Sequence, residues 1–592
     1  MLVVVDPSAP DFATPYAVTV GGDGARVAFL RASALWVLNV ATASTRLVAE
    51  GPIDSFAVDA DARTAAFTRG GRLFRADLVG GSVTAIETGK TAEDPRLDPT
   101  GTHIGYVSDG SLYVVGPNGD ELLAGEPGVI WGGPGEPEFG RARGWWWSPD
   151  GSQVLAARAP SRPSPATGGV SLHLLDLWGG WVDVHWDRET YPYLVEVRWS
   201  TGGGPLITVL RRSQQHGLVL SIDPRTGETQ VHAELADARW VEPVPGTPRH
   251  LPDGRVLVGG ELAHDGFDAR CLFADGSLLT PPGLYVRRVV GVLPRDGGPA
   301  ASRDLIVEGT DGDPAEQHVF AVRTSLGGGG ADARRITGPS GWHSAVIGGD
   351  VLVLASASLA TDTVWTVHRG AAVVCVLPSD TAPHPSAAPP VLERVTDRRL
   401  PSAVLYPPAH VTGHKLPVLL DLGTGPGHQQ ITRTRSEWQE RQWWAAAGFV
   451  VVSVDSRGTP GVAPSFEKVV YRRLADVTLA DHVDALQALT GKHPDLDLER
   501  VSVRGRGLGG WVAALAVLRR SDVFRRGAAR DPVTDWTALP TAFAERYLGR
   551  LADSSDVYAH HSLLEELPCD RLLVLESDAD VHRELDFLQE HP

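Results

Sequence analysis

The sequence predicts two domains in series: a β-propeller of seven or eight blades, followed by an α/β domain with a mainly parallel sheet. Three observations support this prediction. A hairpin pattern recurs about every 40 residues in the first part of the chain. Strand and helix patterns alternate after residue 392, and a glycine-rich strand–turn–helix pattern stands at Val501–Trp511. We expect the propeller at 1–375, a linker rich in Pro, Ser and Ala at 376–392, and the α/β domain at 393–592.

The hairpin repeat is clearest in the first three units. Phe29, Phe67 and Tyr106 occupy equivalent positions, 38 and 39 residues apart, each in a short apolar strand that a turn separates from a second strand. Units of this kind are typical of propeller blades. The alternative is a pair of β-sandwiches, against which the regular period and the S-P-D-G turn after Trp147 both weigh. Inner strands of later blades are expected at Arg198–Leu210, Asp253–Gly260, Arg303–Gly309 and Asp350–Ser356.

The second domain shows strands that are apolar along their whole length, as expected for a sheet buried on both faces. Leu416–Leu422 and Phe449–Val454 are such strands, and helix patterns cover Ser436–Ala447 and Leu474–Leu489. In a parallel sheet the functional residues lie beyond the carboxyl ends of the strands. These ends are 422–424, 455–458, the Val501–Trp511 turn and 576–580.

The stretch Val501–Trp511, V-S-V-R-G-R-G-L-G-G-W, has the layout of the nucleophile elbow of an α/β-hydrolase, G-x-S-x-G. Gly505 and Gly509 flank the tip, where the backbone comes too close for a Cβ atom. The tip residue is Gly507, which has no side chain and cannot attack a carbonyl carbon. The sequence therefore predicts an α/β-hydrolase domain that lacks its nucleophile.

Composition excludes several classes of function. The formal net charge of −18 argues against a nucleic-acid or anionic-membrane partner, since both need clustered positive charge. The three cysteines are far apart, which predicts neither disulfides nor a metal site and fits a reducing, cytoplasmic compartment. We expect no cofactor. The chain shows neither a signal-peptide pattern at its start nor an apolar run long enough for a transmembrane helix.

Domain order and motifs together resemble the prolyl oligopeptidase family of serine peptidases, in its dipeptidyl peptidase IV-like branch, over nearly the whole chain. The resemblance implies release of dipeptides from a free N-terminus after proline or alanine. It further implies paired propeller glutamates that hold the terminal ammonium, and a Ser–Asp–His triad. The matching stretches are D-S-R-G-T-P-G (455–461), G-R-G-L-G-G-W (505–511), P-V-T-D-W (532–536), E-R-Y-L-G (545–549) and E-P-E-F-G-R-A-R-G-W-W-W-S-P-D-G (136–151).

When the catalytic residues of the family are carried over to this sequence one by one, several of them are missing. The nucleophile position falls on Gly507. The oxyanion hole would keep the Leu508 N–H, but Gly423 stands where the family has a tyrosine. Losing one such donor typically costs a rate factor of about 10² to 10³. The triad acid falls on Asp580, with Asp578 as second choice.

The triad histidine has no match. The residues after Asp580 resemble the final helix of the family joined directly to the aspartate loop, so we expect that the intervening segment is deleted and the domain truncated. His582 and His591 follow, and both are expected on the surface, because neither is placed to bond an aspartate and reach the elbow.

The binding residues are partly kept. Glu136 and Glu138, separated by a proline, could hold a peptide ammonium or be solvated loop carboxylates. Asp455 and Arg457 are expected to be structural turn residues. An apolar slot for proline, or alternatively plain core, would be formed by Val533, Trp536, Phe543 and Tyr547.

Three functional hypotheses follow. The first is an inactive peptidase that binds peptides with a free N-terminus or serves as an interaction scaffold, with a homodimer implied by the family resemblance. The second is an active aminodipeptidase that uses non-standard catalytic residues. The third is a decayed or erroneous sequence that folds poorly.

Overall fold

The computed structural model describes residues 14–136, 139–161, 169–264, 266–295, 303–324, 332–379, 388–576 and 581–590. Within them lie eight antiparallel sheets followed by one seven-stranded sheet. The eight sheets are the blades of a propeller, so the prediction of seven or eight blades resolves to eight.

The blades follow one another along the chain. The strands of blades 1 to 4 are β1 (Tyr16–Val20), β2 (Arg26–Arg31), β3 (Ala34–Asn39), β4 (Ser44–Ala49); β5 (Ser55–Val58), β6 (Thr64–Arg69), β7 (Arg72–Asp77), β8 (Val83–Ile86); β9 (Glu93–Leu97), β10 (Ile104–Ser108), β11 (Ser111–Gly116), β12 (Gly119–Ala124); and β13 (Val129–Trp131), β14 (Trp145–Trp147), β15 (Gln153–Pro160), β16 (Ser171–Asp176), β17 (Trp181–Asp183). The strands of blades 5 to 8 are β18 (Tyr193–Arg198), β19 (Leu206–Leu210), β20 (His216–Ile222), β21 (Thr229–Ala236); β22 (Arg249–His250), β23 (Val256–Leu262), β24 (Ala269–Ala274), β25 (Ser277–Leu278); β26 (Tyr285–Pro294), β27 (Arg303–Thr310), β28 (His318–Arg323), β29 (Ala333–Arg335); and β30 (Trp342–Gly348), β31 (Val351–Ala357), β32 (Val364–Arg369), β33 (Ala372–Val376).

Apolar faces of neighbouring blades bury one another. Phe29, Phe67 and Tyr106 stand in the second strands of blades 1 to 3 and are fully buried, which explains their regular spacing. The ring closes by side-chain packing, because Phe29 of blade 1 shares a core cluster with Val353 of blade 8. The four later stretches predicted as inner strands contain β19, β23, β27 and β31. These are the second strands of their blades, a correction to the predicted position.

The second domain is built on the seven-stranded sheet. Its strand order is β34–β35–β37–β36–β38–β39–β40, with β34 and β35 antiparallel to their neighbours and the rest parallel. The strands are β34 (Val391–Val395), β35 (Leu400–Leu405), β36 (Leu416–Asp421), β37 (Val450–Val454), β38 (Leu496–Arg506), β39 (Phe524–Arg530) and β40 (Leu572–Leu575). The helices are α1 (Gln439–Ala446), α2 (Pro464–Lys468), α3 (Leu474–Thr490), α4 (Leu508–Arg519), α5 (Thr541–Leu548), α6 (Ser555–His561) and α7 (Val581–Gln589).

The sheet is covered on both faces. Helices α1 and α7 pack on one face, and α3 and α4 pack on the other. Strand β38 is longer than the apolar run predicts, because it pairs with β36 from Leu496 onwards and continues to Arg506 at the elbow. The predicted helix Ser436–Ala447 is divided into a 3-10 turn at Ser436–Trp438 and α1.

The two domains share a buried polar interface. Trp240, from the propeller loop after β21, lies in the main core of the hydrolase domain. Around it, Lys468 pairs with Asp237 at 2.8 Å, and Arg270 pairs with Glu467 at 2.8 Å. These contacts hold helix α2 against blades 5 and 6, so the propeller loops have a defined position relative to the sheet.

Membrane-spanning helices and metal-binding clusters are absent from the described residues. No helix among them is long and apolar enough to cross a membrane. Nor does the described part of the chain hold a group of three or more His, Cys, Asp or Glu side chains arranged for a metal ion. The three cysteines are free thiols.

Candidate functional site

The elbow has the backbone of a nucleophile turn. Strand β38 ends at Arg506, helix α4 begins at Leu508, and Gly507 between them has φ 57° and ψ −117°. Any residue with a side chain is strained in this region, and such strain is typical of functional turns. A Cβ atom at Gly507 would meet no atom within 4 Å. The turn therefore has the conformation and the room for a nucleophile, and the sequence places no side chain there.

The glycines beside the tip allow close backbone packing. A Cβ atom at Gly505 would overlap the backbone of Gly509, and one at Gly509 would overlap the carbonyl group of Gly423. The Arg506 N–H donates to the Gly423 oxygen at 2.7 Å, and the Gly509 N–H donates to the Thr424 oxygen at 3.0 Å. The loop after β36 is thereby held directly against the elbow.

These contacts predict a contrast between two alanine variants. Gly509→Ala must push two backbone segments apart, so we expect a loss of several kcal/mol in unfolding free energy, as for overpacked cores. Gly507→Ala meets no neighbour and should lose only the backbone strain, about 1–3 kcal/mol. Denaturant unfolding of both variants tests this, and an equal or smaller loss for Gly509→Ala would contradict the packing argument.

Leu508, the residue expected to supply an oxyanion donor, is the first residue of α4. There the helix leaves backbone N–H groups without an internal partner, and the helix dipole favours negative charge. Gly423, which stands where the resemblance implies a tyrosine, lies against the elbow and has no hydroxyl group to contribute.

Aromatic side chains form a continuous row beside the elbow. Trp536 packs against Trp511 at 5.2 Å and Phe543 at 6.2 Å, and Phe543 packs against Tyr547 at 5.2 Å. Trp536 is fully buried, and burial raises the pKa of Tyr547 to about 12. Val533 and Phe543 are only partly buried. Of the four residues expected to form a slot, Trp536 and Tyr547 are thus core residues, whereas Val533 and Phe543 are partly accessible at the edge of the same hydrophobic core.

The acidic loop reaches this row from the propeller. It runs between β13 and β14, and a Cβ atom at Gly144 would overlap the backbone of Gly133, so the two ends of the loop are in contact. Near its tip, Phe139 packs against Tyr193 at 5.3 Å and under the Arg546 guanidinium at 5.4 Å. Arg546 stands on α5, next to Tyr547. Glu136 is exposed, whereas Glu138 lies outside the described residues.

Asp455 and Arg457 stabilise turns. Asp455 is buried and accepts hydrogen bonds from the backbone N–H groups of Gln430 and Ile431, at 2.9 and 3.1 Å. Burial raises its pKa to about 7. The Arg457 guanidinium pairs with Asp481 at 2.8 Å. These contacts match the expected structural roles.

Most of the residues considered for the rest of the triad cannot be placed. Asp578, Asp580 and His591 lie outside the described residues. His582 is exposed on α7 and packs against the Trp443 ring at 6.0 Å, on the face of the sheet that α1 covers. Its surface position agrees with the prediction.

A buried ionic cluster beneath the elbow was missed by sequence reasoning. Arg504 of β38 pairs with Asp421 at 2.9 Å, Glu440 at 2.9 Å and Glu584 of α7 at 2.8 Å. Glu584 also pairs with Arg530 at 2.7 Å. A signal was present, because an arginine in the otherwise apolar strand V-S-V-R-G requires buried partners. The partners of Arg504 come from distant parts of the chain, so the sequence alone does not identify them.

A chain of serine, histidine and aspartate side chains lies in blade 4 of the propeller. The Ser171 hydroxyl and His173 Nε2 are 2.8 Å apart, and His173 Nδ1 and Asp183 are 2.8 Å apart. Ser171 and His173 are buried in strand β16, and burial lowers the pKa of His173. Ser171 stands within a hairpin and not on the strand–turn–helix that exposes a nucleophile. This chain therefore stabilises the blade across β16 and β17.

An eight-bladed propeller ahead of an α/β-hydrolase domain with a nucleophile elbow defines a propeller–hydrolase class of protein. Residues 435–584 match the prolyl oligopeptidase family. The hydrolase part of the chain therefore matches this family, and the similar proteins are dipeptidyl peptidases.

Individual relatives show how far the similarity extends. Mouse dipeptidyl peptidase 8 is 29% identical over 228 residues, which is 36% of this chain and 26% of that protein. Rat inactive dipeptidyl peptidase 10 is 22% identical over 515 residues, 74% of this chain and 61% of that protein. The matches therefore span less than two thirds of these relatives. The crystal structure of Porphyromonas gingivalis dipeptidyl peptidase 4 aligns with a TM-score of 0.79 at 19% identity, covering 97% of this chain and 91% of that one, which shows the shared fold.

Proposed function

We propose that this protein is a dipeptidyl peptidase IV-like pseudopeptidase, which binds the free N-terminus of a peptide and does not cleave it. The observation that carries the proposal is Gly507, which keeps the strained conformation of the nucleophile position without a nucleophile. A peptidase of this family needs an attacking oxygen, and no neighbouring residue offers one from the same turn. Ser502 belongs to the buried part of β38, five residues before the tip.

The histidine–carboxylate pairs of the described residues support the same conclusion. Several histidines of the described chain pair with carboxylates, among them His560 with Asp476 and His410 with Asp495. None of these pairs includes a residue of the elbow or of the loops that follow β36, β37 and β39. An active aminodipeptidase with substitute residues would need such a pair, because the base must be oriented by a third group.

Peptide binding is supported by what surrounds the elbow. The Leu508 N–H can donate a hydrogen bond to a peptide carbonyl oxygen, and Val533 and Phe543 offer an apolar surface for a proline ring. The acidic loop, with Glu136 near its tip, faces the same region through Phe139 and Arg546. We assign Glu136 and Glu138 to the peptide ammonium. We also propose a homodimer through the hydrolase domain, and a cytoplasmic location with which the free cysteines agree.

Binding can be measured by fluorescence polarisation with a C-terminally labelled Ala-Pro peptide. We expect saturable binding by the wild-type protein and at least tenfold weaker binding of the N-acetylated peptide, because hydrogen bonds to a charged ammonium are lost. Phe543→Ala should weaken binding by a similar factor. The matched control is Trp178→Ala, which removes a tryptophan that is 86% exposed on blade 4. Equal affinity for the free and acetylated peptides would contradict the proposed ammonium site.

A further inference from the structure

The propeller carries a group of arginines on successive blades. Arg96 stands on β9, Arg143 just before β14, Arg198 on β18 and Arg249 on β22. In blades 3, 5 and 6 these are the first strands, which in a propeller surround the central channel. Four consecutive blades therefore each carry one arginine on the inner part of the ring.

Their positions on the inner part of consecutive blades make these guanidiniums neighbours. Burial, together with the positive charges of Arg96 and Arg198, lowers the pKa of Arg143 to about 10. Burial and the charge of Arg198 likewise lower the pKa of Arg249 to about 10. The Arg143 side chain nevertheless keeps access to solvent. A side chain in the wall of a channel has both properties, because protein surrounds it and water still reaches it.

The carboxylates in this region are too few to neutralise the arginines. Asp94 is engaged by Arg96, with a contact of 2.6 Å. Glu196 is the other acidic neighbour, and burial raises its pKa. No carboxylate of the described residues lies within 4.0 Å of the Arg143, Arg198 or Arg249 guanidiniums. Three arginines and one glutamate remain, an excess of about two positive charges in a protein whose formal net charge is −18.

Two of these arginines also have buried hydrogen-bond donors without a partner among the described residues. The Nε atoms of Arg198 and Arg249 are shielded from solvent and have no hydrogen-bond partner among the described residues. Buried donors of this kind nearly always have a partner, which can be protein, water or a ligand. Gly291 makes room for one of these side chains, because a Cβ atom there would lie 3.0 Å from Arg249 Nη1.

We propose that Arg143, Arg198 and Arg249 form an anion site in the propeller channel, which binds a ligand carrying a doubly charged phosphate group. The planar guanidinium is suited to this ligand, since its donors match the oxygen atoms of phosphate in pairs. A phosphate dianion would neutralise the excess charge and supply acceptors for the unpaired Nε donors. The phosphate can be free or carried by a larger molecule such as a phosphopeptide. The site is separate from the elbow and does not depend on peptide binding there.

The test is thermal unfolding with inorganic phosphate, compared with chloride at equal ionic strength and pH. We expect phosphate to raise the melting temperature of the wild-type protein by about 2 °C or more at saturation. The Arg198→Gln/Arg249→Gln double variant should lose this response. Its melting temperature without phosphate should be equal to or above that of the wild type, because two like charges no longer repel. A structural defect in the variant would instead lower this melting temperature.

The matched control is Arg520→Gln, which removes a surface arginine paired with Asp522 at 2.8 Å and should keep the full phosphate response. Isothermal titration with inorganic phosphate and with a phosphoserine peptide then identifies the carrier. Tighter binding of the phosphopeptide than of its unphosphorylated form assigns the site to phosphopeptides, and binding of phosphate alone assigns it to small phosphates. No phosphate-specific stabilisation of the wild type, or an unchanged response in the double variant, would overturn the proposal.

Discussion

Wild-type protein is expected to release no detectable fluorophore from an Ala-Pro or Gly-Pro amide. Losing the nucleophile of a serine peptidase costs a factor of about 10⁶ in kcat, and the missing tyrosine donor removes further stabilisation of the transition state. An active dipeptidyl peptidase assayed in parallel supplies the reference rate. Turnover that co-purifies with the wild-type protein and is lost on Asp580→Ala would contradict the pseudopeptidase proposal.

The Gly507→Ser variant makes this experiment more informative. The structure has room for the side chain, although the positive φ angle should cost about 1–3 kcal/mol of stability. We expect the variant to fold and to remain inactive, because the hydroxyl group would have no paired histidine to take its proton. Activity in the variant alone would show that a base is present and that only the nucleophile has been lost.

Removal of Glu584 should destabilise the hydrolase domain strongly. Its carboxylate, 1% exposed, pairs with both Arg504 and Arg530, so Glu584→Ala leaves two buried guanidiniums without this partner. Breaking a buried ion pair in this way typically costs about 3–5 kcal/mol. Burial opposes the ionisation of Asp421 in the same cluster, but Arg441 and Arg504 hold its pKa below the usual value, so Asp421 is ionised at neutral pH.

The control variant for Glu584→Ala is Glu590→Ala, which removes a carboxylate from the same contact between α7 and the sheet. Glu590, in the turn after α7, pairs with Arg526 at 3.0 Å, but its side chain is 64% exposed. Glu590→Ala should cost at most about 1 kcal/mol, as for surface pairs. Urea unfolding of both variants gives the comparison. Similar losses for the two would mean that the buried cluster does not hold α7 on the sheet.

The candidate site was predictable where its residues are neighbours in sequence. Gly505, Gly507 and Gly509 stand within five positions, so their spacing alone revealed the elbow and its missing nucleophile. The slot residues Val533 to Tyr547 were found in the same way. Whether each was core or surface was not predictable, since the burial of Trp536 depends on Trp511 in another helix. The acidic loop was recognised by its motif, but its contact with Arg546 joins residues about 400 positions apart.

By itself, the sequence determined the order of the two domains, the family resemblance and the glycine at the tip of the elbow, because hydrophobic periods and glycine spacings are local properties of the chain. Only the tertiary structure decided that there are eight blades, that Arg504 ends in a cluster with Asp421 and Glu584, and that four consecutive blades each carry an arginine on their inner part. The physical reason is the same in each case. The energy of a buried charge depends on partners that the fold brings from distant positions, and no local pattern records them.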